Sequence, residues 1–322
     1  MMVDMVPAGE LATRRTLAAS TPWEAVLEAY LDGATDSPST RRAYGRAVRD
    51  ALTALEVTTL AELTGAELAR YRAAVTASTS HAPASQALAL AGLRSFLKWA
   101  GIMGAHGMSA DVVTAALRTP SSRVRKPYNV LAEPEVGAIL RAADNDRDRA
   151  ILAIMLGAGL RVSEVTGLDV SDLLEDSEGG AALYVRQGKG RKDRTVPVQP
   201  EVSALVRRYL ASTRRRLGEA GPMFRAHDRA AAKLARGRLT ARAAGDVVRR
   251  TAHRAGIDAK AVSPHALRHT FAIRALRNGA DIVAVAKLLG HASVVTTQRY
   301  LDHLETAELR TAIPHLPSME AA

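Results

Sequence analysis

Four segments between residues 21 and 101 carry apolar residues at helical spacing, and this pattern constrains the fold of the first third of the chain. In the second segment Tyr44, Val48 and Leu52 share one line, and four arginines lie away from it: Arg41, Arg42, Arg46 and Arg49. Thr64 and Glu67 form a capping-box signature at the start of the third segment. Four short helices in succession predict a small helical bundle.

The helix ends are marked by their own signals. Thr21 is predicted as the N-cap of the first helix, with Pro22 at its first position and Glu24 two residues further on. The fourth helix is expected to stop at Gly101, and the stretch that follows is rich in Gly, Ser, Thr, Pro and basic residues. We therefore expect a domain boundary near residue 125. The predicted organisation is an N-terminal arm (1–20), a helical domain (21–105), a linker (106–127), a second domain (128–305) and a tail (306–322).

The second domain is predicted to combine helices with one β-hairpin. Residues 182–186 and 194–198 have the composition of strands, and Lys189 lies between two glycines in the turn that joins them. The stretch 150–155 is apolar all round, which indicates a buried helix. Other helices are predicted at 133–143, 200–217, 240–255, 264–278, 281–289 and 293–302. The expected fold class is mainly α with a small β-hairpin or sheet, in the α+β class.

Charge and composition exclude some functions and favour others. The net charge is +11, and residues 126–322 carry 31 basic against 22 acidic residues, which favours a polyanionic partner over a merely solvated basic surface. Cysteine is absent, so disulfides, thiolate metal sites and cysteine nucleophiles are excluded. The first residues lack the apolar core of a signal peptide, and the longest apolar stretch, 150–160, is too short to span a bilayer. We expect a cytoplasmic protein.

Six residues of the second domain together have the chemistry needed to cleave a phosphodiester: Arg161, Lys189, His265, Arg268, His291 and Tyr300. Two guanidinium groups can bind phosphate oxygens in a bidentate manner without losing their charge. Glu164 follows Arg161 by three residues and can brace it. This set requires no metal and no cofactor.

Each of these side chains has an expected role. The phenol of Tyr300 attacks the phosphorus, and His265 accepts its proton, since a phenol with an ordinary pKa of about 10 needs a base at neutral pH. Lys189 protonates the leaving 5′ oxygen, and His291 donates a hydrogen bond to a non-bridging oxygen. The product is a 3′-phosphotyrosyl bond, from which religation needs no ATP.

Taken singly, the same residues have ordinary structural explanations. The glycine-flanked Lys189 is typical of a basic hairpin tip, and Tyr300 alone would be a helix aromatic. His265 and His269 at i, i+4 could suggest zinc, but the accompanying glutamate is missing, so His269 is expected to be packed or capping. Gly157 and Gly159 make a poor dinucleotide fingerprint. The joint occurrence of the six residues outweighs these separate readings.

The chain closely resembles the tyrosine recombinase (phage integrase) family in five segments: Gly157-Ala-Gly-Leu-Arg-Val-Ser-Glu164, Gly188-Lys-Gly-Arg-Lys-Asp-Arg194, His265-Ala-Leu-Arg-His-Thr-Phe271, Leu288-Leu-Gly-His-Ala-Ser293 and Thr296-Thr-Gln-Arg-Tyr300. The resemblance implies that Arg161, Lys189, His265, Arg268 and His291 activate the phosphate, with Tyr300 as the nucleophile. It also implies that 21–105 is a SAM-like core-binding domain and 128–305 the catalytic domain, which together form a C-shaped clamp on DNA.

The resemblance further implies a partner and an assembly. The partner is double-stranded DNA with a specific recombination site, on which a homotetramer, alone or with a paralogous recombinase, exchanges strands through a Holliday junction. The tail is expected to dock on a neighbouring protomer. No membrane is involved, and the protein is expected in the cytoplasm at the nucleoid. Candidate DNA contacts are Arg41, Arg42, Arg46, Arg49, Arg191, Lys192, Arg242, Arg249 and Arg250.

Within the family, size and layout resemble the Xer-type recombinases that resolve chromosome and plasmid dimers. A mobile-element integrase is the alternative, because Asp302 stands where many relatives have histidine and because 225–238 is long and rich in alanine and arginine. A type IB topoisomerase and a non-catalytic DNA-binding protein are further alternatives. The separate helical domain argues against the first, and the intact residue set argues against the second.

Overall fold

The computed structural model describes residues 19–34, 38–119, 129–175, 180–186, 193–226, 237–291, 293–298 and 300–301. The chain divides into two compact units, Met1–Arg125 and Lys126–Ala322. Among the described residues, helices dominate and a single three-stranded sheet is present, which confirms the predicted fold class. No helix in these ranges is both long enough and apolar enough to cross a membrane.

Helices are the main elements of the first unit, and its described residues contain no strand. Its helices are α1 (Trp23–Gly33), α2 (Pro38–Ala54), α3 (Gly65–Ala77), α4 (Pro83–Ile102) and α5 (Ala110–Ala116). Their apolar stripes meet in one core, in which Leu52, Leu68 and Phe96 are fully buried. Burial of each such side chain contributes about 1.5–3 kcal/mol of transfer free energy, so the amphipathic spacing is what holds these helices together.

Two features of the first unit differ from the prediction. Helix α1 begins at Trp23 with Pro22 as its N-cap, so the predicted cap at Thr21 is wrong by one residue. The stretch predicted as linker contains α5, and Val113 of this helix and Leu117 at its C-cap are buried in the core of this unit. Seven residues are too few for helical periodicity to stand out in a sequence. The capping box of Thr64 and Glu67 is confirmed at the start of α3.

The second unit contains eight described helices around a small antiparallel sheet. They are α6 (Glu133–Arg141), α7 (Asp146–Gly157), α8 (Val162–Gly167), α9 (Pro200–Ser212), α10 (Ala241–Arg254), α11 (Pro264–Arg277), α12 (Ile282–Leu289) and α13 (Val295–Gln298). The strands are β1 (Leu173–Glu175), β2 (Ala181–Val185) and β3 (Arg194–Val198), in the order β1-β2-β3. Leu183 pairs with Leu173 on one side and with Val196 on the other.

Helix α7 is the buried centre of this unit, as its apolar composition predicted. Residues 150–156 are all buried, and α7 packs against α9 and α11. At its N-terminal end Asp148 is buried as well and accepts hydrogen bonds from Arg147 and, at 2.7 Å, from Arg250. A buried carboxylate is tolerated only when it is paired in this way.

The predicted hairpin strands are confirmed within one residue, but three short elements differ from the prediction. Strand β1 and helix α8 were not predicted, and α13 spans four residues where 293–302 was expected. The first two have three and six residues, and their sequences carry no period long enough to read. They matter because α8 carries Glu164 and α13 ends two residues before Tyr300.

Candidate active site

The turn between α7 and α8 presents Arg161. Gly159 adopts a φ of +63°, and a Cβ atom at this position would lie 2.3 Å from the ring of Phe271. Both the left-handed backbone and the close approach therefore require glycine. The chain leaves this turn at Arg161, which is the N-cap residue of α8. The glycine signature next to Arg161 thus has a direct steric cause.

Glu164 is a buried carboxylate held by two arginines. Its oxygens accept hydrogen bonds from the backbone N–H and the Nη1 of Arg161, each at 2.8 Å, which is the bracing contact expected from the sequence. Arg194 adds a two-point fork at 2.9 and 2.8 Å. Burial raises the pKa of Glu164, but the hydrogen bonds and charges of Arg194 and Arg161 outweigh it and leave the pKa below its ordinary value. The carboxylate is therefore ionised at neutral pH.

Arg268 is buried and fixed by backbone oxygens from two segments. Its Nη1 donates to the carbonyl of Gly159 at 2.7 Å and its Nη2 to the carbonyl of Leu289, and Nη1 lies 3.7 Å from Glu164. Burial and, next, the charge of Arg161 lower the pKa of Arg268 to about 10, while Glu164 opposes them. The guanidinium therefore keeps its charge at neutral pH.

The phenol of Tyr300 lies against His269 of α11. Its hydroxyl is 2.9 Å from Nδ1 of His269, and its ring packs among apolar side chains that include Ile273 and Leu289. The rings of His269 and His265 meet edge-on, with centroids 4.2 Å apart. Tyr300 is 2% exposed, whereas His265 is exposed. Within this trio, solvent reaches the imidazole of His265 while the phenol is enclosed.

His291 reaches the same place from the end of α12. Gly290 ends that helix in the left-handed conformation, with a φ of +64°. The Nδ1 of His291 lies 2.8 Å from the hydroxyl of Thr297, and its ring is nearly parallel to that of Tyr300, with 6.4 Å between centroids. The left-handed cap therefore turns the chain so that His291 faces the phenol.

Six of the sequence-predicted site residues are brought together by contacts between the Gly159 turn, α8, α11 and the end of α12: Arg161, Glu164, His265, Arg268, His291 and Tyr300. Lys189, Arg191 and Lys192 lie outside the described residues. Three arginines face one buried carboxylate, so the site is cationic and suited to an anion. Arg161 is the accessible member of the pair predicted to bind phosphate, since its side chain is 24% exposed and that of Arg268 is 1% exposed.

The predicted DNA-contacting arginines divide into two groups. Those of α2 and Arg242 are exposed, although Arg41 pairs with Asp32 and Arg49 with Glu28 at the protein surface. On α10, Arg249 pairs with Asp246. Arg250 differs because it donates to the buried Asp148, which gives it a structural role of its own.

Three residues of the site were not predicted: Arg194, His269 and Thr297. Arg194 follows the glycine-flanked Lys189 by five residues and was counted with the basic hairpin tip. His269 was expected to be packed or capping, and it is indeed buried, but its contact with Tyr300 spans 31 positions of sequence. No local pattern reports such a contact. Across the described ranges, no group of three His, Asp or Glu side chains is placed to hold a metal ion.

Comparisons with known proteins assign the chain to a family and agree with its fold. A model of the phage integrase family matches residues 129–307, and a model of the phage integrase N-terminal SAM-like domain matches residues 27–101. The chain is 35% identical to the tyrosine recombinase XerC of Nitrobacter winogradskyi over 280 residues, which cover 82% of this chain and 83% of that relative. It is 35% identical to the tyrosine recombinase XerD of Mycobacterium tuberculosis over 304 residues, which cover 85% and 91%. Among solved structures, a lambda integrase tetramer bound to a Holliday junction has a similar fold, with a TM-score of 0.65. The two chains are 17% identical, and the match covers 87% of this chain and 77% of the integrase chain.

Proposed function

The chain belongs to the phage integrase family and is a tyrosine recombinase, and on this premise we propose that it cuts and rejoins DNA strands at a specific site through Tyr300. The phenol oxygen attacks the phosphorus of one phosphodiester. A bond from this oxygen to phosphorus forms while the bond from phosphorus to the 5′ oxygen breaks. The products are a 3′-phosphotyrosyl enzyme and a free 5′-hydroxyl end.

Each proton and each developing charge of this step is assigned to a side chain. The proton of Tyr300 passes to the histidine pair, His269 and His265, and Lys189 gives a proton to the leaving 5′ oxygen. Arg161, Arg268 and His291 stabilise the negative charge that spreads over the non-bridging oxygens. Religation reverses the step with a 5′-hydroxyl from a second strand, so neither ATP nor a metal is required.

The observation that carries this proposal is the joining of Arg161, Arg268 and Tyr300 by short contacts to one buried framework. Arg161 donates a hydrogen bond to Glu164, which lies 3.7 Å from Arg268. Arg268 in turn donates a hydrogen bond to the carbonyl of Leu289, a residue that packs beside Tyr300. Positioned cations next to a hydroxyl nucleophile are what phosphoryl transfer needs, because its catalysis consists of positioning and charge stabilisation.

We propose double-stranded DNA as the substrate and a homotetramer on two synapsed sites as the active assembly. The cationic second unit supports the first part, and the lambda integrase tetramer on a Holliday junction supports the second. The identity to XerC and XerD favours resolution of chromosome or plasmid dimers over integration of a mobile element. The protein would act in the cytoplasm, at the nucleoid.

A suicide substrate tests the proposal. The protein is incubated with a nicked duplex that carries its site, in EDTA and without ATP, and covalent adducts are separated on a denaturing gel. We expect an adduct that forms under these conditions and is absent with Tyr300→Phe. An adduct that requires a divalent metal, or one that persists in Tyr300→Phe, would contradict the mechanism. Exchange between two copies of the site, as against integration into unrelated DNA, separates dimer resolution from mobile-element integration.

A further inference from the structure

Arg194, the first residue of β3, contacts two segments that carry proposed catalytic residues, and the reaction described above gives it no role. Its side chain is 12% exposed. Nη1 and Nη2 donate to the two carboxylate oxygens of Glu164 at 2.9 and 2.8 Å, and Nε donates to the carbonyl of Leu288 at 3.0 Å. All three guanidinium nitrogens therefore have acceptors, two on α8 and one at the end of α12.

The backbone after α12 lies directly against this guanidinium. A Cβ atom at Gly290 would be 2.8–3.0 Å from three atoms of the Arg194 side chain. Gly290 thus permits an approach that a larger residue would prevent, in addition to the left-handed turn it makes there. A cation at this place is also favourable because the last carbonyls of a helix carry partial negative charge.

Two consecutive carbonyls at the end of α12 are each bound by an arginine. Arg194 binds the carbonyl of Leu288 and Arg268 binds that of Leu289. His291 follows two residues later and contacts Thr297, whose carbonyl accepts the backbone N–H of Tyr300 at 2.9 Å. A series of direct contacts therefore leads from Arg194 to the end of α12 that presents His291 and, through Thr297, to the segment of Tyr300.

Arg194 also sets the charge balance around Glu164. This carboxylate accepts from Arg161 and lies 3.7 Å from Arg268. With the fork of Arg194 in place, Glu164 has a partner of its own, and the remaining N–H groups of Arg161 can turn to a phosphate. Without that fork, the carboxylate of Glu164 would have only Arg161 and Arg268 as cationic neighbours. A lysine could not replace it, because an ammonium is a point charge without the planar two-point geometry.

We propose that Arg194 is a positioning residue for strand cleavage. It orients Glu164, and through it Arg161, while it fixes the end of α12 that presents His291. The inference rests on the proposed function of the site, since it concerns the rate of the same cleavage step. It assigns Arg194 no contact with the DNA.

The test compares Arg194→Gln and Arg194→Lys in the full chain with Arg208→Gln. Arg208 is the control because it is also an arginine paired with a carboxylate, that of Asp146 on α7, while its side chain is 65% exposed. The affinity for a DNA duplex carrying the site and the single-turnover rate of adduct formation are measured separately. We expect both Arg194 variants to form the adduct about 100-fold more slowly, as a small misplacement of catalytic groups does, with affinity within about twofold of the wild type. The control should match the wild type in both.

A double mutant tests the route of the effect. If Arg194 acts through Glu164, the loss in Arg194→Gln/Glu164→Gln should be smaller than the product of the two single losses. Thermal unfolding identifies variants that do not fold, and Arg194→Lys, which keeps the buried charge paired with Glu164, is the variant to measure if Arg194→Gln unfolds. A folded Arg194 variant that cleaves at the wild-type rate, or losses that multiply independently, would overturn the inference while leaving the adduct of the wild type, and so the proposed function, intact. Failure of the wild type to form an adduct would contradict the proposed function instead.

Discussion

Nδ1 of His269 lies 2.9 Å from the hydroxyl oxygen of Tyr300, although 31 positions of sequence separate the two residues. Both side chains are buried, and the exposed ring of His265 meets that of His269 at 4.2 Å. The imidazole in contact with the proposed nucleophile is thus one helical turn away from the one that the sequence suggested as proton acceptor. A proton leaving the phenol would meet His269 first.

We therefore expect His269→Gln to slow adduct formation by about 100-fold or more, because a positioned base contributes about 10²–10⁴ in rate. The measurement is the single-turnover cleavage rate between pH 5.5 and 9, together with DNA affinity, which should not change. His253→Gln, at an exposed position of α10, is the control. A wild-type rate in His269→Gln would assign the proton to His265 instead.

Arg161→Ala should abolish most cleavage while sparing most binding. The loss of one donor to the transition state costs about 3 kcal/mol or more, which is on the order of 10²–10³ in rate. Arg161→Lys should restore little of it, since the fork is lost. The adduct rate and the dissociation constant are measured side by side, with Arg141→Ala, at an exposed position of α6, as control. Equal losses in rate and affinity would indicate that Arg161 serves DNA binding alone.

Glu164→Gln should reduce stability more at neutral than at acid pH. Burial raises the pKa of Glu164, but the arginine contacts outweigh it, so the folded-state pKa is lowered. A lowered pKa stabilises the fold above the unfolded value of about 4.3, and this stabilisation is lost as the pH falls through the folded-state pKa. Urea unfolding at pH 7 and pH 3.5 tests this, with Glu133→Gln, an exposed partner of Arg274, as control. An equal destabilisation at both pH values would contradict it.

Gly159→Ala should destabilise the second unit and slow cleavage. The left-handed backbone costs an alanine about 1–2 kcal/mol, and the methyl group would in addition collide with the ring of Phe271. Gly167→Ala, where nothing lies within 4 Å of the new methyl group, should be neutral or stabilising by about 0.5–1 kcal/mol. The measurement is the denaturant midpoint of each variant. Equal stability of both would show that the turn adapts.

The salt dependence of DNA binding should distinguish an arginine that contacts phosphate from Arg250, which is exposed but donates to the buried Asp148. Arg42→Gln, at an exposed position of α2, should reduce the slope of log affinity against log salt by about 0.9 if it neutralises one phosphate. Arg250→Gln should leave the slope unchanged and lower the melting temperature, because it leaves the buried Asp148 with fewer donors. An unchanged slope in Arg42→Gln together with a reduced slope in Arg250→Gln would assign the phosphate contact to Arg250 instead of Arg42.

The sequence predicted what depends on local pattern. The capping box at Thr64, the buried helix α7 and the two hairpin strands follow from propensity and period, and the structure confirms them. Short elements were missed because they contain too few residues for such a pattern: α5, α8 and β1 have seven, six and three residues. Their stability comes from burial against distant partners, which no short window of sequence contains.

The sequence predicted most of the residues that form the candidate site but not which of them contact one another. The role of each residue type follows from its chemistry, so the sequence could nominate Arg161, Arg268 and Tyr300. It could not show that Arg268 donates two hydrogen bonds to backbone carbonyls, or that Glu164, rather than an anion at the surface, is the partner of Arg194. Those contacts join residues 109, 21 and 30 positions apart and are fixed by tertiary packing.

The bonds from Arg268 to the carbonyls of Gly159 and Leu289 have a consequence for how experiments on this enzyme are read. Carbonyl oxygens do not titrate, and a guanidinium that is 1% exposed is shielded from dissolved ions. The spacing between the turn before Arg161 and the end of α12 is therefore insulated from buffer composition. Loss of activity in concentrated salt would then report departure of the nucleic acid and not a change in this spacing.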